Sequence, residues 1–403
     1  MGYLRRMPAT LRLSLLQWTQ NSTFACVAIT LGTYLLRTLE FSGREVGMVY
    51  ASAAIAATVS PPITGWLADK HFSADRMLVY LNLFAAVALT GCFFVDAFLP
   101  FYGLILLFNL CFMPTFSLLS SVCFHQLERP SEQFPAVRTW GTVGFTVVGF
   151  ALGLLGWEPT AWPLLLGVGY CLLTATLAWG LDEIPPQPGF SWSDVGGEEV
   201  KQIFREPGML VLMVAMLLSC IPSAFYYSFV NPFLTEIGWS AAAAKMSIGN
   251  VGEVFILLSL PFVLRKVRFR RVVFWGLFLW GARYLAFMVG RPGHQEWLLY
   301  AGIMVQGICF VWIVVAAQIY VDNRVPKSLR STAQGLIVFA NQGVGMILGS
   351  WLAGEVVNAY ALADGSHDWA GIWVIPGTVG VVAALGFWAW FPRDSRFSIL
   401  DSR

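Results

Sequence analysis

The chain has 403 residues, of which 57% are hydrophobic and 12% charged, with a net charge of +2. A soluble domain carries about 25% charged residues, so this composition excludes an ordinary water-soluble protein. Nucleic-acid binding would need a clustered basic face. The one dense run, Arg265-Lys266-Val267-Arg268-Phe269-Arg270-Arg271, lies between two apolar stretches and reads as a cytoplasmic loop, so no nucleic-acid partner is expected.

Apolar runs recur along the whole chain, and 51–66, 97–124 and 139–157 carry no charge at all. A hydrocarbon core needs about 20 such residues per helix, and in lipid a helix satisfies its own backbone hydrogen bonds. The pattern predicts an all-α membrane protein with twelve spans, at 12–37, 45–68, 75–96, 99–125, 136–157, 160–181, 205–234, 242–264, 271–290, 297–321, 330–358 and 371–391. A Pro/Gly-rich polar stretch after span six, from Ile184-Pro185-Pro186 to Gly196-Gly197-Glu198-Glu199, reads as a linker. The expected organisation is a six-helix bundle at 1–182, a cytoplasmic linker at 183–203 and a second six-helix bundle at 204–403. Only Arg37, Arg44, Lys245 and Arg291 fall in odd-numbered loops. The other Lys and Arg outside the spans lie at the termini and in even-numbered loops, which predicts that both termini are cytoplasmic.

An ionisable residue within a span is costly and usually faces the protein interior. Span one has a basic patch before it (Arg5, Arg6, Arg12) and a polar stretch, Thr19-Gln20-Asn21-Ser22-Thr23, which fits a first membrane helix better than a cleaved signal. In span five, Arg138, Thr142 and Phe145 stand at i, i+4 and i+7 on one helix face. Cation, hydroxyl and ring together suit a small polar ligand with a ring. The alternative is an arginine reaching back to the headgroups. Span seven offers Tyr226, Tyr227 and Asn231.

In span eight Glu253 is the one mid-span acid, with Asn250 three residues before it and Gly249 and Gly252 thinning the helix. A lone carboxyl there can take up and release a proton; the alternative is a structural ion pair with Arg138 or Arg283, and the two are compatible. Arg283, among Trp280, Tyr284 and Phe287, reads as structural. Span ten carries Gln306 and Phe310 at i, i+4, then Gln318; span eleven carries Asn341 and Gln342. Such amides also serve simply as hydrogen bonds between helices. All seven Cys lie within apolar runs without C-x-x-C spacing and read as small buried hydrophobes. Catalytic residues, metal ligands and cofactors are not expected.

Twelve spans in two halves, with basic loops after spans two and eight, resemble the major facilitator superfamily, whose substrates bind between the halves. The loop motif G-x-x-x-D-[RK] of that superfamily is matched by Gly65, Asp69 and Lys70, for which the resemblance implies conformational gating. Further stretches are similar to one branch, the bacterial nucleoside:proton symporters. They include Leu31-Gly32-Thr33-Tyr34, Gly47-Met48-Val49-Tyr50, Met113-Pro114-Thr115, Arg138-Thr139-Trp140-Gly141-Thr142, Asn231-Pro232-Phe233-Leu234 and Arg330-Ser331-Thr332-Ala333-Gln334-Gly335. This resemblance implies nucleoside contacts from Arg138, Thr142, Phe145, Glu253 and Phe310, with Asn250 where the family has Gln. The chain departs from the family at Ala224 and Tyr227 (Gln and Asn there), at Gln306 (Tyr) and at Val311 (an acid).

The expected function is uptake of nucleosides or similar small polar molecules by proton symport in the bacterial inner membrane. Arg138, Thr142, Phe145, Tyr227, Asn250, Glu253, Gln306 and Phe310 are the expected substrate contacts, and Glu253 the proton-coupling group. The alternatives are an uncoupled facilitator, or a carrier of another substrate such as a sugar. The expected partners are substrate, protons and membrane lipid, and the expected state is a monomer.

Overall fold

A computed structural model describes residues 7–70, 73–181, 197–326 and 329–393. Almost all of this backbone is helical. The helices are α1 (Ala9–Ala28), α2 (Leu31–Arg37), α3 (Gly43–Lys70), α4 (Ala74–Phe93), α5 (Phe98–Gln126), α6 (Pro130–Leu154) and α7 (Trp162–Trp179). Then come α8 (Gly197–Arg205), α9 (Met209–Glu236), α10 (Ala242–Lys266), α11 (Phe269–Val289) and α12 (Glu296–Arg324). The rod α13 runs from Arg330–Val338 through a π-helical turn, Phe339–Gly345, into Met346–Ala359; α14 is Trp369–Trp390. A second π-helical turn, Val311–Val315, sits within α12.

Among the described residues, ten helices are long and apolar enough to cross a bilayer: α4 to α7 and α9 to α14. The fold is that of an all-α membrane protein. Prolines inside α5, α6, α9 and α14 are accommodated, as membrane helices allow.

Two segments differ from the sequence reading. The first expected span, 12–37, is broken at Ile29 and Thr30. The Tyr50 hydroxyl of α3 fills the break: it donates to the Ala28 carbonyl at 3.2 Å and accepts from the Gly32 N–H at 3.0 Å. A side chain thus replaces the missing rungs of the helix ladder, a recognised cause of such breaks. The expected linker is also partly helical. Gly197–Arg205 forms α8, with Ile203 buried and Glu198, Glu199 and Arg205 on its sequence, an amphipathic pattern. Residues 182–196 lie outside the described residues.

The chain divides into two compact units, one of residues 1–190 with 240–247, the other of 191–239 with 248–403. In the first unit α1 packs along α6, α4 along α7, and α3 along α5. Small residues let these backbones close up: a Cβ on Gly144 would stand 2.6 Å from the Trp18 carbonyl oxygen. In the second unit α9 packs along α13 and α11 along α14. Here Gly281 and Gly380 meet, each leaving no room for a Cβ against the other helix's backbone. Counting α1 with α2 as one, both units pair first helix with fifth and third with sixth.

Polar side chains inside both units cross-link helices. Asn109 donates to Ser52 Oγ at 2.9 Å, joining α5 to α3. Thr174 donates to Thr19 Oγ1 at 2.8 Å, joining α7 to α1. Asn341, in the π turn of α13, donates to Cys220 Sγ at 3.2 Å. Gln20 donates to the Thr115 hydroxyl, joining α1 to α5. The amides Gln20 and Asn341 therefore act as interhelical hydrogen bonds, one of the two roles open to them from sequence.

A candidate substrate site

In the first unit the candidates ride on α6, which begins with Pro130 at its first turn. Arg138 stands two turns inside this helix. Arg138 and Thr142 are exposed, while Phe145 is half-buried and packs on Phe24 with ring centroids 6.0 Å apart. Their orientation follows from helix geometry. Gly141, Gly144 and Val148 form the stripe buried against α1, where a Gly141 Cβ would lie 2.4 Å from Asn21 Nδ2. Arg138, Thr142 and Phe145 lie about a quarter-turn away. That second stripe continues through Gly149 and Gly153, which press against Ser247 and Ala244 of the same unit. The stripe is therefore one that protein covers at one end and leaves open at the other. At the covered end Glu158 also accepts the backbone N–H of Ala243 at 2.5 Å.

In the second unit two of the candidates, Tyr227 and Gln306, meet in one polar cluster. Gln306 is 2% exposed; its Nε2 donates to the Tyr227 hydroxyl at 2.9 Å and its Oε1 accepts from Arg283 Nη1 at 2.6 Å. Arg283 is also 2% exposed, and its guanidinium lies 4.0 Å from the centroid of the Tyr226 ring, a desolvated cation–π contact. Its Nε and Nη2 are buried without a hydrogen-bond acceptor. Arg283 thus does not pair with Glu253, one of the partners open to it from sequence. Three helices build the cluster: α9 gives Tyr226 and Tyr227, α11 gives Arg283, and α12 gives Gln306.

Glu253 reaches this neighbourhood from α10. Its backbone is seated on α12, since a Cβ at Gly307 would lie 2.6 Å from Glu253 Cα. Gly249, Gly252 and Glu253 share the α12-facing stripe, with Gly249 against Ile303 and Gly252 against Met304. The exposed apolar residues Val251, Phe255, Leu258 and Phe262 stand on the opposite face. The carboxylate accordingly sits on the protein-facing side of its helix. Asn250 and Phe310 are both half-buried, Phe310 immediately before the π turn and Val311, fully buried, within it.

Arg283 is the functional candidate that sequence reasoning set aside. Its aromatic neighbours were visible, but the acceptor on Gln306 comes from another helix and only the packing supplies it. Gly65, Asp69 and Lys70 fall in α3, but their side chains lie outside the described residues.

A bundle of apolar helices in two units, with polar clusters buried at mid-helix, defines a membrane transporter of the major facilitator fold. Comparison with known proteins bears this out. The crystal structure of the nucleoside transporter NupG matches with a TM-score of 0.89 at 28% identity, covering 95% of this chain and 99% of that one. A D-xylose–proton symporter structure at 16% identity, TM-score 0.71, shares the fold alone. A family model, the nucleoside H+ symporter, matches residues 7–396, and the chain belongs to that family. In Escherichia coli, YegT is 32% identical over 96% of this chain and 95% of its own length. Xanthosine permease of the same organism is 30% identical over 92% of each. The chain is a multi-pass inner-membrane transporter and not an enzyme.

Proposed function

We propose that this chain takes up a nucleoside together with a proton, with Arg138, Thr142, Phe145, Tyr227, Asn250, Glu253, Gln306 and Phe310 as its nucleoside contacts. Proton-coupled nucleoside transport accords with the family and with the relatives named for nucleosides and xanthosine. The observation that carries the residue assignment is the hydrogen-bonded Arg283–Gln306–Tyr227 chain, with Glu253 seated against Gly307, the residue after Gln306. An ionisable group such as Arg283 buried within a membrane span is costly and marks a functional site by default.

Phe145, Phe310 and Tyr227 supply ring faces for the base, Arg138 and Asn250 supply donors for its carbonyls and the ribose hydroxyls, and Gln306 acts through the Tyr227 hydroxyl that it holds. Arg283 positions Gln306. Glu253 couples: as a carboxylate it accepts hydrogen bonds from the substrate, and protonated it is neutral and can cross with it. Twelve crossings with both termini cytoplasmic, the first two made by α1 with α2 and by α3, complete the topology. The protein works as a monomer, and Asp69 and Lys70 clip the cytoplasmic ends during the cycle. The test is uptake of labelled nucleosides by proteoliposomes with and without an imposed pH gradient. Gradient-dependent accumulation above the external concentration is expected; equilibration regardless of gradient would replace symport with facilitation.

A further inference from the structure

The turn between α10 and α11 and the end of α14 form a second polar site, remote in sequence from the substrate residues. Arg268, Arg270, Arg271, Trp388 and Arg393 line a cavity of about 230 Å³. Four arginines share it, and among the described residues none of the four has a carboxylate partner. Arg270 is 9% exposed, lies 4.4 Å from the centroid of the Trp388 ring, and keeps its Nε buried with no acceptor. The cavity also faces the start of α11, a 21-residue helix whose preceding residue, Arg268, gives no side-chain cap. Unmet backbone N–H groups and the positive end of the helix dipole add to the cationic field. Like charges gathered without a counter-charge call for an anion, and the flat guanidinium fork fits the oxygens of a phosphate.

We infer that this cavity binds the phosphodiester headgroup of an anionic phospholipid, such as phosphatidylglycerol or cardiolipin. The apolar surroundings favour a lipid over free phosphate. Trp388 is 40% exposed, Leu385 on the same helix is 55% exposed, and Trp275 of α11 is 48% exposed. The Phe274 ring bridges toward them, 5.1 Å from Trp388. Acyl chains lie along this wall while the headgroup sits among the arginines, the arrangement expected of basic pockets at the ends of membrane helices. The tryptophans hold the level of the interface.

The purified full-length protein in mild detergent tests this by thermal unfolding and native mass spectrometry. Cardiolipin or phosphatidylglycerol should raise the midpoint and remain bound, whereas phosphatidylcholine should do neither. Arg270→Gln should weaken the anionic-lipid effect about fivefold to tenfold, the loss of one charged hydrogen-bonding group. Arg393→Gln, at an exposed position that does not bear on folding, should weaken it in the same direction and keeps the test valid if the buried variant unfolds. Equal effects of anionic and zwitterionic lipid, or an undiminished effect in Arg393→Gln, would overturn the inference. Full reproduction of the shift by millimolar inorganic phosphate, with loss of bound lipid, would likewise overturn it in favour of a free-anion site.

Discussion

Arg283 Nη1 donates to Gln306 Oε1 at 2.6 Å, and Gln306 passes its own Nε2 hydrogen to Tyr227. The guanidinium fixes which way the amide points. Without that charge the Gln306 side chain could turn over and present its carbonyl, not its donor, to the tyrosine. Tyr227, 40% exposed, is the one member of the chain open to a ligand, so the arginine acts on the substrate at second hand.

Substituting the two ends of this contact should therefore give coupled effects. Arg283→Gln and Gln306→Ala are each expected to weaken nucleoside binding about tenfold, and the double variant to be little worse than either. Calorimetric titration of the three variants measures the coupling. Simple addition of the two losses would mean that Arg283 does not position Gln306.

Arg138→Lys separates recognition from anchoring. A lysine reaches the headgroups as well as an arginine does, but it lacks the planar fork. About tenfold weaker binding with an unchanged unfolding temperature is expected. Unchanged binding would return Arg138 to an interfacial anchor.

Glu253→Gln keeps the hydrogen-bonding shape of a protonated carboxyl and removes the proton site. Binding and counterflow exchange should survive, while accumulation driven by a pH gradient should fail and the pH dependence of transport should flatten. A variant that still concentrates nucleoside would move coupling to another group.

Gly307→Ala should destabilise the protein by about 1–3 kcal/mol, because the new methyl meets the backbone of Glu253 and helices must shift. Gly169→Ala, in α7 with nothing within 4 Å of its Cβ, should be neutral or stabilise by up to about 1 kcal/mol. Thermal unfolding of both in the same detergent makes the comparison.

Asp69→Asn should slow transport with equilibrium binding nearly intact, since the motif lies at the end of α3, a helix that carries no proposed substrate contact. Stopped-flow uptake beside binding at equilibrium tests this. Lost binding at normal expression would contradict a gating role.

Helix positions were legible because the bilayer imposes one length and one polarity. The spans read at 75–96, 99–125 and 371–391 appear as Ala74–Phe93, Phe98–Gln126 and Trp369–Trp390. The break at Ile29 was not legible, because its cause is a hydroxyl from Tyr50, on another helix. Glu253 stood out by charge alone. Arg283 stood out too, but its meaning depended on the depth at which α11 and α12 meet, and hydropathy does not encode that. Gln20 looked like Gln306 in sequence, yet one is spent on Thr115 between helices and the other is held beside a half-open tyrosine.

The wide turn at Val311–Val315 has its own consequence for α12. An α-helix advances about 100° per residue, and a π turn absorbs one residue more than the regular ladder would. The face bearing Gln306 and Phe310 is thereby set out of phase with the face bearing Gln318 and Asp322. Removing one residue from the turn would swing the second half of the rod by about that angle while the first half stayed put. The two ends of α12 can thus be altered separately, one for what is carried and the other for what it packs against.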